Sequence, residues 1–164
     1  MNESYWLLSS KSKKYKVLDE DISTDYLIVG GGIVGLTTAF LLAKEKLSVT
    51  LLDADRIGYG ATGRNTGKVT TMHNSYAKIE KKYGLEKAKL YYEANNKALK
   101  FIENTISEYN IDCDFEKVPA FIYTTDENYI EDLKSEYDAC LRIGIPCKYY
   151  DELEGVPLDV KGAI

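Results

Sequence analysis

A glycine run at residues 30–32 constrains this chain more than any other feature. It directly follows Tyr26–Val29, an apolar run that predicts a strand buried on both faces of a parallel sheet. Residues 33–46 then predict a helix that is apolar on most faces, and residues 48–52 predict a second buried strand that ends at Asp53. A strand, a helix and a strand within about thirty residues predict a right-handed βαβ unit.

The glycines match the G-x-G-x-x-G pattern of dinucleotide-binding turns. Gly30 permits the tight turn, Gly32 leaves room for a pyrophosphate, and Gly35 lets the helix approach the strand. Ile33 and Val34 open the helix, so their backbone would offer N–H groups and a partial positive charge to phosphate. A glycine turn without a ligand is the alternative, but the position between a strand and a helix favours the phosphate site.

An acidic residue ends the second predicted strand. Asp53 could accept hydrogen bonds from both hydroxyls of an adenosine ribose, and Ala54 follows it at the same edge. The negative charges of Asp53 and of Asp55 nearby would repel a 2′-phosphate, which disfavours NADP as the cofactor. A strand-end acid that faces solvent is the alternative. To this point NAD and FAD fit equally well.

A second glycine-rich loop, residues 58–67, separates these two cofactors. A nicotinamide-binding domain needs no such loop here, whereas the extended FAD molecule would run beneath the chain beyond the second strand. The hydroxyls of Thr62 and Thr66 could donate hydrogen bonds, and Arg64 could offset phosphate charge. The predicted FAD contacts in this loop are Thr62, Gly63, Arg64, Asn65, Thr66 and Gly67. A flexible surface loop is the alternative.

Residues 25–70 resemble the N-terminus of the D-amino-acid-oxidase-like FAD-dependent oxidoreductases, which include glycine and sarcosine oxidases. The matching residues are GGGIVG at 30–35, Asp53 in the ribose position and GATGRNTG at 60–67. Residues 67–73 and 91–95 resemble more narrowly a bacterial branch that carries a C-terminal Rieske iron–sulfur domain. A Rieske centre needs two Cys and two His. The chain has one His, so that domain is not expected here.

The resemblance implies FAD as cofactor and oxidation of a small-molecule amine or amino acid at its C–N bond, with hydride transfer to flavin. The family's substrate-binding residues come largely from parts that this chain lacks, so no catalytic residue is assigned. Its 164 residues predict a truncated, N-terminal portion of such an enzyme. The alternative is an FAD- or ADP-binding module that another polypeptide completes. An unfinished sheet edge would favour self-association or a partner chain.

The fold class predicted for the whole chain is α/β. Residues 1–24 form a polar arm with Trp6 as an anchor, residues 25–74 a Rossmann-like FAD-binding βαβ unit with its flavin-side loop, and residues 75–164 a mixed segment with the first strands of a substrate-domain sheet. Helices are predicted at 75–83, at 85–110 and from Thr125 or Asp126 to 143, and strands at 115–123, 147–149 and 160–164.

Two of these helices carry apolar stripes that predict packing faces. The stripe of the long helix is Leu85, Ala88, Tyr92, Asn95, Leu99, Ile102, Ile106 and Tyr109, and that of the last helix is Ile130, Leu133, Tyr137 and Leu141. His73 could approach the flavin because it follows the flavin-side loop. A lone His at a loop–helix junction is more often a capping or surface residue.

Composition restricts partners and location. A net charge of −5 disfavours nucleic acid as a partner, since an acidic surface repels phosphate backbones. Three cysteines without CxxC spacing argue against a disulfide framework and a metal site, and fit a reducing, cytoplasmic location. The longest apolar stretch, residues 33–43, is too short to span a membrane.

Overall fold

A computed structural model describes residues 4–9 and 13–164 of the chain. The parts of the predicted arm at residues 1–3 and 10–12 lie outside the described residues. The chain divides into two compact units between Lys68 and Val69.

The first unit contains one parallel pair of strands. Its elements are helix α1 (Tyr5–Ser9), strand β1 (Tyr26–Val29), helix α2 (Ile33–Lys44), strand β2 (Val49–Leu52) and a 3-10 turn, η1 (Thr62–Arg64). The strands pair in register, with Tyr26 opposite Val49 and Val29 opposite Leu52. The Gly30 N–H donates to the Leu52 carbonyl at 2.7 Å and extends the ladder by one residue. Helix α2 packs against both strands.

The prediction that β1 is buried on both faces is wrong for this chain. Leu27 is 56% exposed and Val29 is 81% exposed, while the residues of β2 are half-buried. The sheet contains only these two strands within the described residues. Burial on both faces needs a layer of structure on each face of the sheet. The apolar run is typical of a strand that can be buried on both faces, but its Leu27 and Val29 side chains are exposed in this structure.

The second unit is mainly helical. Its elements are α3 (Tyr76–Tyr83), α4 (Leu85–Tyr109), β3 (Tyr123–Thr124), a 3-10 turn η2 (Glu127–Tyr129), α5 (Ile130–Ile143) and β4 (Gly162–Ala163). The three predicted helices are confirmed to within a few residues. Asp126 accepts a hydrogen bond from the Asn128 N–H at 2.9 Å at the start of η2, as predicted for a cap. Gly144 has φ +93° and ends α5 in the left-handed conformation.

The core of this unit lies between α3, α4 and α5. Its buried members are Tyr76, Ala88, Ala139, Cys140, Ile143 and Ile145. The predicted stripe of α4 is confirmed in part, because Ala88 is buried and Leu85 and Tyr92 pack against the core, whereas Tyr109 is exposed. Leu141 was predicted to face inward and is 48% exposed. Its neighbour Cys140 takes the inward position, since adjacent helical residues point about 100° apart.

The strand predicted at 115–123 is wrong over most of its length. Only Ile122 to Thr124 find a partner, and it is the segment 161–164: the Ile122 N–H donates to the Ile164 carbonyl at 3.0 Å, and the Lys161 N–H to the Thr124 carbonyl at 2.8 Å. Residues 115–121 have no ladder partner in the described chain, and Pro119 lacks an N–H. The strand predicted at 147–149 is reduced to a single bridge between Tyr150 and Ala163.

A buried carboxylate joins two helices of this unit. Glu136 on α5 is 3% exposed and accepts hydrogen bonds from the Tyr76 and Ala77 N–H groups, both at 2.8 Å. Those groups open α3, and Ser75 provides no side-chain cap. Glu136 therefore serves as the N-terminal cap of α3 from a distant part of the chain.

Replacing Glu136 with alanine should lower the free energy of unfolding by about 2–4 kcal/mol, because two buried N–H groups lose their acceptor. Chemical denaturation followed by circular dichroism measures this difference. Asp132→Ala is the matched control, since Asp132 is an exposed carboxylate on the same helix. Equal losses in the two variants would contradict the assigned capping role.

Candidate functional site

The turn between β1 and α2 brings backbone atoms closer than side chains would allow. A Cβ atom at Gly35 would collide with the carbonyl oxygen of Gly30, so only glycine lets α2 begin this close to the end of β1. Gly30 itself has φ +107°, a conformation that favours glycine. The roles predicted for these two glycines, a tight turn and a close helix–strand approach, agree with this geometry.

Gly32 immediately precedes the helix, and its position is open on one side. Its backbone is extended, with φ −76° and ψ −178°, which any residue can adopt. An added Cβ would meet only the Thr62 hydroxyl, at 3.3 Å. The backbone conformation therefore does not require glycine here, and among the described residues beyond its chain neighbours the Thr62 hydroxyl is the one atom within 4 Å of the added Cβ.

The first turn of α2 keeps unsatisfied N–H groups. Gly32 gives no side-chain cap, and the Ile33 N–H donates to the Thr62 hydroxyl at 2.9 Å. The N–H groups of Val34 and Gly35 have no hydrogen-bond partner within residues 4–9 and 13–164. A helix N-terminus with open N–H groups carries a partial positive charge and favours anions.

Asp53 lies beside this turn at the end of β2. Its two carboxylate oxygens accept hydrogen bonds from the Gly31 N–H at 2.6 Å and the Asp55 N–H at 2.8 Å. The N–H groups of Asp55 and Gly31 hold the pKa of the Asp53 carboxyl below its ordinary value of 3.8. The group is exposed and ionised at neutral pH. Ala54, the next residue, is exposed at the same edge.

The loop at residues 58–67 is held together by its own polar groups. The Arg64 guanidinium donates to the carbonyls of Tyr59 and Gly60, and it stacks on the Tyr59 ring with its carbon 4.5 Å from the ring centre. Arg56 lies over the same ring at 4.2 Å. In this structure the positive charge of Arg64 therefore interacts with the carbonyls of Tyr59 and Gly60 and with the face of the Tyr59 ring.

Asn65 braces the second half of the loop. Its side chain accepts a hydrogen bond from the Gly67 N–H at 2.6 Å and donates to the Thr62 carbonyl at 2.5 Å. Thr62 in turn reaches the first turn of α2. The structure thus brings Gly30, Gly32, Ile33, Asp53 and Thr62 together around one turn, while Thr66 is exposed on the far part of the loop.

Sequence reasoning missed two residues near this loop. Tyr59 is the platform for Arg56 and Arg64, and Leu7 of α1 lies against Gly63. Trp6, predicted as an anchor of the arm, donates its indole N–H to the Asn65 carbonyl at 2.8 Å. No local sequence signal indicates the contact of Leu7 with Gly63, because the two residues are far apart in the chain.

His73 belongs to the second unit. It is exposed and lies edge-on to the Tyr91 ring, with 6.2 Å between ring centres. Tyr91 in turn contacts the buried ring of Tyr76 at 6.0 Å. This placement fits a surface residue packed on an aromatic cluster.

Comparison with known proteins decides the family. A family model described as FAD dependent oxidoreductase (DAO) matches residues 25–164. The chain belongs to this family. FAD is the cofactor of the family, as the flavin-side loop predicted.

Curated relatives support the same assignment. The chain is 36% identical over 163 residues to YhfW of Bacillus subtilis, named as a Rieske 2Fe-2S iron–sulfur protein; the match covers 99% of this chain and 32% of that protein. It is 34% identical over 142 residues to gamma-glutamylputrescine oxidoreductase of Escherichia coli, covering 82% of this chain and 33% of that protein. The resemblance stated from the sequence is confirmed.

The chain spans about a third of the length of these curated relatives. A comparison with solved structures gave no significant match. Among the described residues, no helix has both the length and the apolar character needed to cross a bilayer.

Asp53 should remain ionised as the pH falls below 3.8, and its bond to the Gly31 N–H should persist with the charge. A lowered folded-state pKa gives a contribution that is present above the ordinary value and is lost as pH falls through the folded value. Amide hydrogen exchange and carboxyl titration by NMR measure both. Asp53→Ala should remove the protection of the Gly31 amide at neutral pH, because alanine has no side-chain acceptor for this N–H. Asp55→Asn should preserve it, because Asp55 contributes only its backbone N–H.

Proposed function

We propose that this chain is the FAD-binding part of an oxidoreductase that oxidises an amine or amino acid at a C–N bond by hydride transfer to flavin. The observation that carries the proposal is the first turn of α2, where the N–H groups of Val34 and Gly35 are open beside a side-chain-free Gly32. The membership of the FAD-dependent family supplies the cofactor.

The first turn of α2 fits a pyrophosphate. Two open N–H groups in one helical turn can donate to one anion, the helix adds its partial positive charge, and Gly32 places no side chain beside them. The Thr62 hydroxyl accepts the Ile33 N–H, and the N–H groups of Val34 and Gly35 stay available to a ligand. The proposed role of this turn is to hold and orient the phosphates.

Asp53 fits an adenosine ribose. An ionised carboxylate has about four acceptor sites, and two of them accept the N–H groups of Gly31 and Asp55. The remaining sites accept the two ribose hydroxyls in this proposal. The lowered pKa of Asp53 keeps the group charged, and the charge would repel a 2′-phosphate.

The complete set of proposed FAD contacts is that predicted from the sequence. It comprises Gly30, Gly32, Ile33, Val34, Gly35, Asp53, Ala54, Thr62, Gly63, Arg64, Asn65, Thr66 and Gly67. When bound, FAD supplies the hydride acceptor for the carbon next to the substrate nitrogen. The chain's own residues bind and orient that group. The amine class is supported by the E. coli relative, whose name gives gamma-glutamylputrescine as its substrate.

The visible absorption spectrum tests cofactor binding directly. The purified chain is mixed with FAD, free ligand is removed by gel filtration, and the flavin band is recorded. Retained FAD at one equivalent per chain is expected, and candidate amines are then screened for bleaching of the band. A colourless protein would contradict FAD binding by this chain.

A non-catalytic or incomplete FAD- or ADP-binding module is the second candidate. The exposure of Leu27 and Val29 on β1 favours it, because apolar strand residues of this kind are stabilised by a covering layer. In that case FAD is retained but no amine bleaches it until another polypeptide is added. Size-exclusion chromatography over a range of concentrations detects self-association, and a monomer throughout counts against pairing through β1.

Gly32→Val should weaken FAD binding by about a hundredfold, a loss of about 2.7 kcal/mol, because the side chain would occupy the proposed phosphate space. The extended backbone at this position accepts valine, and because the added Cβ would lie 3.3 Å from the Thr62 hydroxyl, circular dichroism first checks that the variant is folded. Gly60→Ala is the matched control, since a Cβ at Gly60 meets nothing within 4 Å. Isothermal titration gives both affinities, and equal values would contradict the phosphate role.

Asp53→Ala should weaken FAD binding about tenfold or more while changing FMN binding little. FMN lacks the adenosine, so it cannot use the proposed ribose contact. The ratio of the FAD and FMN dissociation constants is the measured quantity. An equal loss for both flavins would show that Asp53 acts only through the shape of the turn.

A further inference from the structure

Two glycines of the flavin-side loop are in contact with helix α1. A Cβ at Gly63 would lie 2.6 Å from Leu7 Cδ2 and 2.5 Å from the Gly58 carbonyl oxygen. A Cβ at Gly67 would lie 2.6 Å from Trp6 Cζ2. A side chain at Gly67 would displace the helix, and one at Gly63 would collide with both the helix and the loop's own backbone.

A chain of hydrogen bonds runs from α1 to the first turn of α2. The Trp6 indole N–H donates to the Asn65 carbonyl at 2.8 Å. The Asn65 side chain donates to the Thr62 carbonyl at 2.5 Å, and the Thr62 hydroxyl accepts the Ile33 N–H at 2.9 Å. Each hydrogen bond in this series restrains the residue that makes the next hydrogen bond.

Helix α1 has five residues, Tyr5–Ser9, and a helix this short is not stable by itself in water. Its order depends on the surface beneath it, and that surface is the loop. The loop in turn has little regular structure beyond the three residues of η1. Helix and loop therefore stabilise each other, although they are far apart in sequence.

We propose that Trp6 and Leu7 are positioning residues of the FAD site: docking of α1 on Gly63 and Gly67 fixes the loop so that Thr62 reaches the start of α2. This role rests on the proposed function for its FAD part. The contact between α1 and the loop itself exists without any cofactor.

Fluorescence of the ligand-free protein tests the contact. Trp6 is the only Trp in the chain, so its emission reports on α1 alone. Gly67→Ala should shift the emission to longer wavelength and increase quenching by acrylamide, because the added methyl group displaces the indole. Unchanged emission would overturn the proposal.

Two loop variants separate this effect from backbone strain. Gly67 has φ +70° and Gly58 has φ +74°, but a Cβ at Gly58 meets nothing within 4 Å. Gly58→Ala therefore introduces the same strain without the contact, and Gly60→Ala introduces neither. Both should leave the Trp6 emission unchanged; a shift in Gly58→Ala equal to that of Gly67→Ala would overturn the assigned contact.

Equilibrium titration with FAD tests the positioning role at a temperature where every variant is folded by circular dichroism. Trp6→Ala should raise the FAD dissociation constant about tenfold, as expected for loss of one hydrogen bond and its packing. Trp6→Phe keeps a ring against Gly67 without the N–H donor and should recover part of the affinity. Leu8→Ala is the control, because Leu8 is on the same helix and 66% exposed.

The outcomes distinguish the two proposals. Wild-type chain that binds FAD with the same affinity as Trp6→Ala overturns the positioning role alone. Wild-type chain that binds no FAD overturns the proposed function and the positioning role together. A graded loss from wild type through Trp6→Phe to Trp6→Ala, with Leu8→Ala unchanged, supports both.

Discussion

The close approach of Gly35 to the carbonyl oxygen of Gly30 is the constraint on which the candidate site depends. No side chain fits between them, so α2 can start directly above the end of β1. This start places the open N–H groups of Val34 and Gly35 at the carboxyl end of the strands, beside Asp53. In parallel α/β structures ligands bind at this edge. One excluded Cβ atom therefore fixes where the proposed phosphate site lies.

The polar side chains around the turn form two sets, which make hydrogen bonds to different parts of the chain. Asp53 stabilises the turn through two N–H groups and keeps acceptor sites for a ligand. Arg64 and Asn65, in contrast, make hydrogen bonds to the loop's own backbone. The loop is thus held by internal bonds and by Trp6 and Leu7, and it contributes Thr62 to the start of α2.

Local signals in the sequence predicted the strand–helix–strand order and the helices of the second unit, because glycines, caps and periodicity act over a few residues. Burial could not be predicted in the same way. Leu27 and Val29 of β1 are exposed although their sequence suits a buried strand, because burial depends on layers of structure that the sequence of one strand does not describe. The strand predicted at 115–123 was wrong for a related reason: pairing needs a partner, and only Ile122 to Thr124 meet one. The contact of Leu7 with Gly63 is tertiary and has no local signal.

The measurement that tests the central claim most directly is a ¹H–¹⁵N NMR titration of the ligand-free chain with FAD. The account predicts that the amide signals of Val34 and Gly35 move most, because their open N–H groups meet the pyrophosphate, and that the Gly31 signal moves with Asp53. Large shifts confined to other parts of the chain, with these amides unchanged, would contradict a phosphate site at the start of α2.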